Sequence, residues 1–489
     1  MSQADGQVFD DPSAHDWRLL SAGRLTPAAG DARYDVENPA TGATLARVPD
    51  AGAADVAATV QAADDAAAGW AGTDVRERAA VVRRLADVLD QHVEEIARLD
   101  SLDGGFPLWM MRKDIGTAGD RMRMFADWAL HLRGETIPSS TGNVHFTERV
   151  PFGVVARIIA YNHPGMFGAS KIAAPLVAGN TVVLKPSDLT PLSALRLGEL
   201  WAEHVPAGVF SVVSGSGVET GDALVRHPAV RRIAFTGSPQ TGRAIQRAAA
   251  ESGVKDVSLE LGGKNALVVF PDADLDAVVE GAVKGMNFAF AGQSCGSTSR
   301  VLVHADLAAE LVDRLRQRLE KVVAGAPFDD GVTMGPLISA AHRDRVAAHV
   351  RTALDDGARL VCGGDAPAGG GHYYPATLLD GVEPDMRVAR TEIFGPVISV
   401  LTFRTEQEAV DVANGVDFGL TASVYTRDFD RAHRMARAMR AGYVWVNDTS
   451  THFIGMPFGG VKESGVGREE SMEELLGYTQ IKSYNLVLR

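Results

Sequence analysis

Hydrophobic and polar positions change rhythm twice along this chain. Over residues 51–100, Val82, Leu85, Leu89 and Ile96 recur at helical spacing with Arg and Glu on the other face, which predicts helix. From Gly153 the period shortens. Apolar, β-branched runs at 154–160, 181–185, 209–213, 233–236 and 257–260 alternate with segments long enough for crossover helices. That alternation predicts an α/β fold: an open parallel sheet with helices on both faces, which takes ligands at the carboxyl ends of its strands. A second alternating block follows Gly262-Gly263, with strands expected at 265–270, 300–303, 397–402, 422–425 and 444–446. Its first helix has the stripe Leu275, Val278, Val279, Ala282, Val283 and Met286, and Asp272 is the expected N-cap. Two α/β units are therefore expected, divided near residues 260–264. Residues 134–150 and 480–488 fit neither block. Both alternate, the first reads as a hairpin, and such a segment at a chain end is a natural edge for pairing with another subunit.

Composition narrows the function classes. Hydrophobic residues make up 46% of the 489 and charged residues 22%, which fits a large globular core and not a disordered chain. A net charge of −14 argues against nucleic acid or an anionic membrane as partner, because neutralising phosphate needs clustered Lys and Arg. The best apolar run, 154–160, is short and interrupted by Arg157, so no membrane span is expected. Residues 1–12 lack the apolar core of a secretory signal. The two cysteines, Cys295 and Cys362, read as free thiols of a reducing, cytoplasmic protein. No metal ligand set is assigned.

Five segments carry candidate chemistry. Cys295 stands among small and polar residues, Gly292-Gln293-Ser294-Cys295-Gly296-Ser297, outside any core pattern. It is either a nucleophile or a filler, and Cys362, in the strand-like 360–364, suits the filler role. Glu260 ends an apolar strand before two glycines, where a general base or a salt-bridged carboxylate would stand. Asn162 follows the first strong strand and is a turn residue, a helix cap or an oxyanion donor. Lys185-Pro186-Ser187-Asp188 offers a cation, a hydroxyl and a carboxylate for a ribose or phosphate. Thr236-Gly237-Ser238 joins a strand to a helix start, as phosphate cradles do, although it is not the GxGxxG pattern.

In this order and spacing, together with Glu392-Ile393-Phe394-Gly395-Pro396, 457–465 and Gly467-Arg468-Glu469, the chain resembles the NAD(P)-dependent aldehyde dehydrogenase superfamily over roughly residues 20–489. The resemblance implies a Rossmann-type NAD(P)-binding domain (1–130 and 151–262), an α/β catalytic domain (263–470) and a small β oligomerisation domain (131–150 and 471–489), assembled as a homodimer or homotetramer. It implies oxidation of a small-molecule aldehyde to the acid through a Cys295 thioester. Glu260 would be the base, Asn162 the oxyanion donor with the Cys295 backbone N–H, and Lys171 and Glu469 a proton route. Tyr161, Lys185, Ser187, Asp188, Gly217, Gly237, Ser238, Leu261, Glu392 and Phe394 would contact the cofactor. His163, Phe167, Ser170, His452 and Phe458 fall at substrate-tunnel positions. The family commonly has Phe where His163 stands and an aromatic where His452 stands. The two histidines would hydrogen-bond a polar substrate group, or else backbone and water. Asp188 replaces the commoner Glu; its carboxylate favours NAD over NADP while leaving NADP open. Residues 162–171 and 285–288 look closest to members that oxidise aromatic aldehydes, with aliphatic or betaine-type aldehydes as the alternative. A CoA-acylating relative often lacks the Glu260-type base. A non-redox cysteine hydrolase would need a histidine base near Cys295, and a silent homologue would lack Asn162, Glu260 or Cys295.

Overall fold

The computed structural model describes residues 11–138 and 141–487. The expectation for residues 1–12 and the last position of the expected C-terminal strand, Leu488, therefore fall wholly or partly outside the described residues.

Five parallel strands form the centre of the first sheet, in spatial order Phe210–Val212, Thr181–Lys185, Val154–Ile158, Val230–Thr236 and Asp256–Glu260. In chain order this is 3-2-1-4-5, so successive connections leave in opposite directions on either side of Val154–Ile158. The divergence opens a crevice at the strands' carboxyl ends. These strands are buried on both faces by crossover helices, which is why they read as near-continuous apolar runs. Short antiparallel strands close the edges: Leu19–Ser21 with Arg24–Thr26 on one side, Gly465–Val466 on the other.

The second sheet has six parallel strands and one antiparallel edge. Its order is Arg359–Cys362, Thr377–Asp380, Val397–Phe403, Arg300–His304, Ala266–Val269, Thr421–Tyr425, Tyr443–Val446. Each sheet has its own core, and Leu475 and Tyr478 from the C-terminal segment join the first. A third sheet pairs Thr479–Val487 antiparallel with Asn143–Pro151 along its whole length, and Thr136–Ile137 pairs on the far side.

Residues 51–100 are helical, as expected, and are divided into Ala53–Ala71, Val75–Gln91 and the start of Val93–Gly104. Asp74 caps the second, accepting from the Arg76 N–H at 2.8 Å, and so restarts the chain after Gly72. One local expectation is corrected: Asp272 does not cap the helix Leu275–Gly285. Asp274 does, accepting from the Asp276 and Ala277 N–H groups. Asp272 instead accepts from Thr426 and from the Arg427 and Asp428 N–H groups, tying that helix to the neighbouring strand end. No helix among the described residues is long and apolar enough to cross a membrane.

Candidate active site

A cleft of about 670 Å³ opens at the crevice of the first sheet. The carboxyl ends of its strands supply 158–162, 185–188, 235–238 and 260–262 to the lining. All ten expected cofactor contacts border it: Tyr161, Lys185, Ser187, Asp188, Gly217, Gly237, Ser238, Leu261, Glu392 and Phe394. The Lys185 ammonium is buried, which lowers its pKa, and donates to the Pro186 carbonyl at 3.1 Å. Ser187 accepts from the Leu189 N–H and shapes the turn that presents the half-buried Asp188. Ser238 caps the helix Pro239–Ser252, so the positive end of that helix borders the cleft.

Cys295, Glu260 and Asn162 meet at the other end of the same cleft. Glu260 closes its strand opposite Thr236 on one neighbour and Gly465 on the other. It is buried, and neither carboxylate oxygen has a hydrogen bond of good geometry among the described residues. Burial, and then the charge of Glu469, push its pKa up to about 8. The half-buried Cys295 thiol lies against this carboxylate; burial first, then Glu260, raise its pKa well above the usual thiol range. Asn162 donates one amide N–H to the Gln293 carbonyl at 3.0 Å.

The loop carrying Cys295 is anchored by residues that pattern reading did not single out. Asn265 donates to the carbonyls of Cys295 (2.7 Å) and Ser297 (3.0 Å) and accepts from the Thr421 N–H (3.0 Å). Gln293 is fully buried, donates to the Phe290 carbonyl and accepts from the Ile338 N–H at 2.9 Å. The loop is also strained: Asn287 and Ala291 are left-handed at φ 56° and 51°, a cost of roughly 1–3 kcal/mol each. Gly292, at φ 71°, has to be glycine, since a Cβ there would lie 2.3 Å from the Gly395 carbonyl oxygen. A Cβ on Gly262 would lie 1.9 Å from the Glu392 carboxylate, so that side chain would have to move. That carboxylate accepts from the Gly263 N–H at 2.9 Å, and burial raises its pKa to about 7.

Lys171 and Glu469 stand behind the cleft and do not border it. Lys171 donates to Glu469 at 2.6 Å and to the Thr236 hydroxyl at 2.8 Å, and Arg157 donates to the other Glu469 oxygen at 2.6 Å. Burial alone would push Glu469 up, but the Lys171 and Arg157 charges overcome it and bring its pKa down to about 2.

Of the expected substrate-side residues, Phe167 borders the cleft. Ser170 is buried and spends its hydroxyl on the Met166 carbonyl. His163 lies 2.6 Å from an Asp114 carboxylate oxygen and His452 3.0 Å from a Glu470 carboxylate oxygen. Phe458 packs with Leu420, Tyr443 and Trp445 into a small aromatic cluster, against which Cys295 is packed. His342 and Arg345, on the helix Ala340–Asp355, border the cleft unannounced by any motif. Cys362 is free and far from this chemistry in sequence, on an edge strand.

Known proteins share this sequence pattern and fold. The sequence pattern of the aldehyde dehydrogenase family matches residues 26–484. Aldehyde dehydrogenase tropH of Talaromyces stipitatus is 43% identical, covering 98% of this chain and 94% of that protein. The NAD+ complex of aldehyde dehydrogenase from Bacillus cereus superposes with a TM-score of 0.96 at 36% identity, over 100% of this chain and 99% of that one. The NAD-dependent aldehyde dehydrogenase of Sinorhizobium meliloti gives 0.94 at 38% identity, over 96% and 95%. With a match this long, and with the expected thiol, carboxylate and amide gathered at one end of the cleft, the chain belongs to the aldehyde dehydrogenase family and is an NAD(P)-dependent aldehyde dehydrogenase.

Proposed function

We propose that this enzyme oxidises an aromatic aldehyde to its acid, with NAD as the preferred cofactor, through a thioester on Cys295 that is hydrolysed with Glu260 as base. The observation that carries the reading is the meeting of a thiol, an unpartnered buried carboxylate and an amide at one end of a cleft of about 670 Å³. The residues present fit a dinucleotide. Lys185 and the Asp188 carboxylate suit the hydroxyls of an adenosine ribose, the Ser238 helix start suits pyrophosphate, and Glu392 suits the second ribose. The Asp188 carboxylate would repel a 2′-phosphate, which favours NAD over NADP. When bound, the cofactor accepts the two electrons and the hydrogen that leave the substrate carbon.

The protein does the rest. Glu260 takes the thiol proton, and the Cys295 thiolate attacks the aldehyde carbon. The carbonyl oxygen gains charge where the second Asn162 amide N–H and the Cys295 backbone N–H can donate to it. Once the acyl group is a thioester, Glu260 deprotonates the water that attacks it and the acid leaves. Lys171 and Glu469 lead away from Glu260 through Thr236 and offer the proton a route. The aromatic preference is supported by Tyr443, Trp445 and Phe458 beside the thiol, with His163, Phe167 and His452 completing the substrate side. We read Thr479–Val487 as the pairing edge of a homodimer or homotetramer, and the three sheets as the centres of cofactor, catalytic and oligomerisation domains with the boundaries given above.

NADH formation across a panel of aromatic and aliphatic aldehydes, with the product identified as free acid or CoA ester, tests the proposal. Cys295→Ala should form no NADH. Glu260→Gln lacks both the acceptor of the thiol proton and the hydrolytic base, so it should form NADH slowly and stop near about one equivalent per subunit as acyl-enzyme; normal steady turnover by Glu260→Gln would remove the base assignment.

A further inference from the structure

The loop carrying Glu392 and Phe394 has a feature that the chemistry above does not use. Phe394 is left-handed, at φ 57°. For a residue with a bulky side chain that conformation persists only where its surroundings impose it. The loop is held between two walls. On one side the Gly395 carbonyl approaches Gly292 of the nucleophile loop so closely that a Cβ there would lie 2.3 Å away. On the other, a Cβ on Gly395 would meet Val346 of the helix Ala340–Asp355 at 2.6 Å.

That same helix supplies a hydrogen-bonded strut. Ser339 caps it by accepting from the His342 N–H, which fixes His342 in the first turn. Arg345 lies three residues on, on the same face. His342 Nε2 is 2.7 Å from the Phe394 carbonyl oxygen, and its Nδ1 is 3.1 Å from an Arg345 terminal nitrogen. A carbonyl only accepts and a guanidinium only donates, so the tautomer is determined: Nε2–H donates to Phe394, and Nδ1 accepts from Arg345. Burial, with the Arg345 charge adding to it, lowers the His342 pKa to about 4, so the ring stays neutral at physiological pH. The Phe394 ring in turn meets Tyr161 edge-on at 5.9 Å across the cleft.

We propose that His342 is the positioning residue of the cofactor cleft: bridging the Arg345 guanidinium to the Phe394 carbonyl, it holds the Glu392–Phe394 loop against the nicotinamide end and leaves the adenosine end untouched. The inference rests on the dinucleotide reading above. Its site is separate from the adenosine contacts at Lys185 and Asp188, which lie at another strand end.

Isothermal titration of NAD and of ADP-ribose, which lacks the nicotinamide, separates the two ideas. Wild-type enzyme should bind both, and failure to bind either would sink the dinucleotide reading itself. His342→Leu should bind NAD about tenfold more weakly, the loss expected for one buried hydrogen bond, while ADP-ribose binding stays within about twofold. His342→Gln keeps a donor and an acceptor and should recover most of the loss. Arg345→Met removes the donor to Nδ1, and with it one end of the bridge, and should weaken NAD more than ADP-ribose, which keeps the test alive if His342→Leu does not fold. In turnover, the KM for NAD should rise while the KM for aldehyde holds. Equal weakening of both ligands, unchanged NAD affinity, or no recovery in His342→Gln would each overturn the proposal.

Discussion

Glu260→Gln should make the protein more stable as well as inactive in hydrolysis, and by an amount that grows with pH. The Glu260 carboxyl is buried without a hydrogen bond, and its pKa stands at about 8 against an ordinary 4.5. In the unfolded chain the group ionises near its ordinary value. Between the two values the folded protein therefore holds a proton that the unfolded chain has released, so folding stability falls as pH rises through that window. By about pH 7 the lost stability is ~3 kcal/mol, and by about pH 8 it approaches ~5 kcal/mol. Glutamine has the same shape and does not titrate, so ionising groups away from Glu260 cancel in the comparison, and Cys295, whose pKa stands well above the usual thiol range, stays protonated through most of it. For a chain of 489 residues, an unfolding entropy of about 2 cal/mol/K per residue makes ~3 kcal/mol worth about 3 °C in Tm. Melting both proteins at intervals from about pH 5 to about pH 9 should show the Glu260→Gln advantage opening by about that much by neutral pH and levelling off above about pH 8. An advantage that is constant with pH, or that shrinks as pH rises, would mean that Glu260 ionises freely in the folded protein. It could not then owe its basicity to burial.

Asn265→Ala removes two donors to the nucleophile loop and the acceptor of the Thr421 N–H; steady-state assays should show kcat down roughly 100-fold, from ~3 kcal/mol of lost positioning, with NAD affinity unchanged. Asp188→Ser removes the charge that repels a 2′-phosphate, and initial rates should show the ratio of kcat/KM for NADP to that for NAD rising roughly tenfold.

How much of this was legible follows from what each signal depends on. The strand ends were readable because a strand buried on both faces has to be an apolar run. Lys185 and Glu260 announce themselves by ending such runs with a polar residue, and Ser238 by following one at the start of a helix. The break at Gly72–Asp74 is marked in the sequence only by Gly72 and by the capping Asp74, because residues 71–77 carry no buried position of either helix. Asp272 was taken for a cap because Asp274, two residues on, has the same chemistry, and only the position of Thr426 in space separates them. Asn265, Gln293 and His342 escaped for a common reason. Each acts through bonds to backbone groups distant in sequence, and a backbone carbonyl has no letter in the sequence. The histidines at 163 and 452 were visible, but their carboxylate partners, Asp114 and Glu470, come from elsewhere in the chain.

The thiol and its base belong to different cores, and this determines where the enzyme is most sensitive. Glu260 is fixed by the first sheet, between Thr236 and Gly465. Cys295 is fixed by the second, through Asn265 and the Arg300 N–H bonded to the Asn265 carbonyl. Their separation is therefore set at the seam, where Gly262-Gly263 passes Glu392 so closely that a Cβ on Gly262 would displace its carboxylate. Catalytic geometry tolerates errors of only about 0.5 Å, so the seam has to be stiffer than either sheet's surface. It is braced twice: once by the Glu392 carboxylate on the Gly263 N–H, and once by the strained loop that His342 holds. Substitutions at the seam should therefore misalign thiol and base while leaving both sheets folded, whereas substitutions of equal size within a sheet should cost stability first.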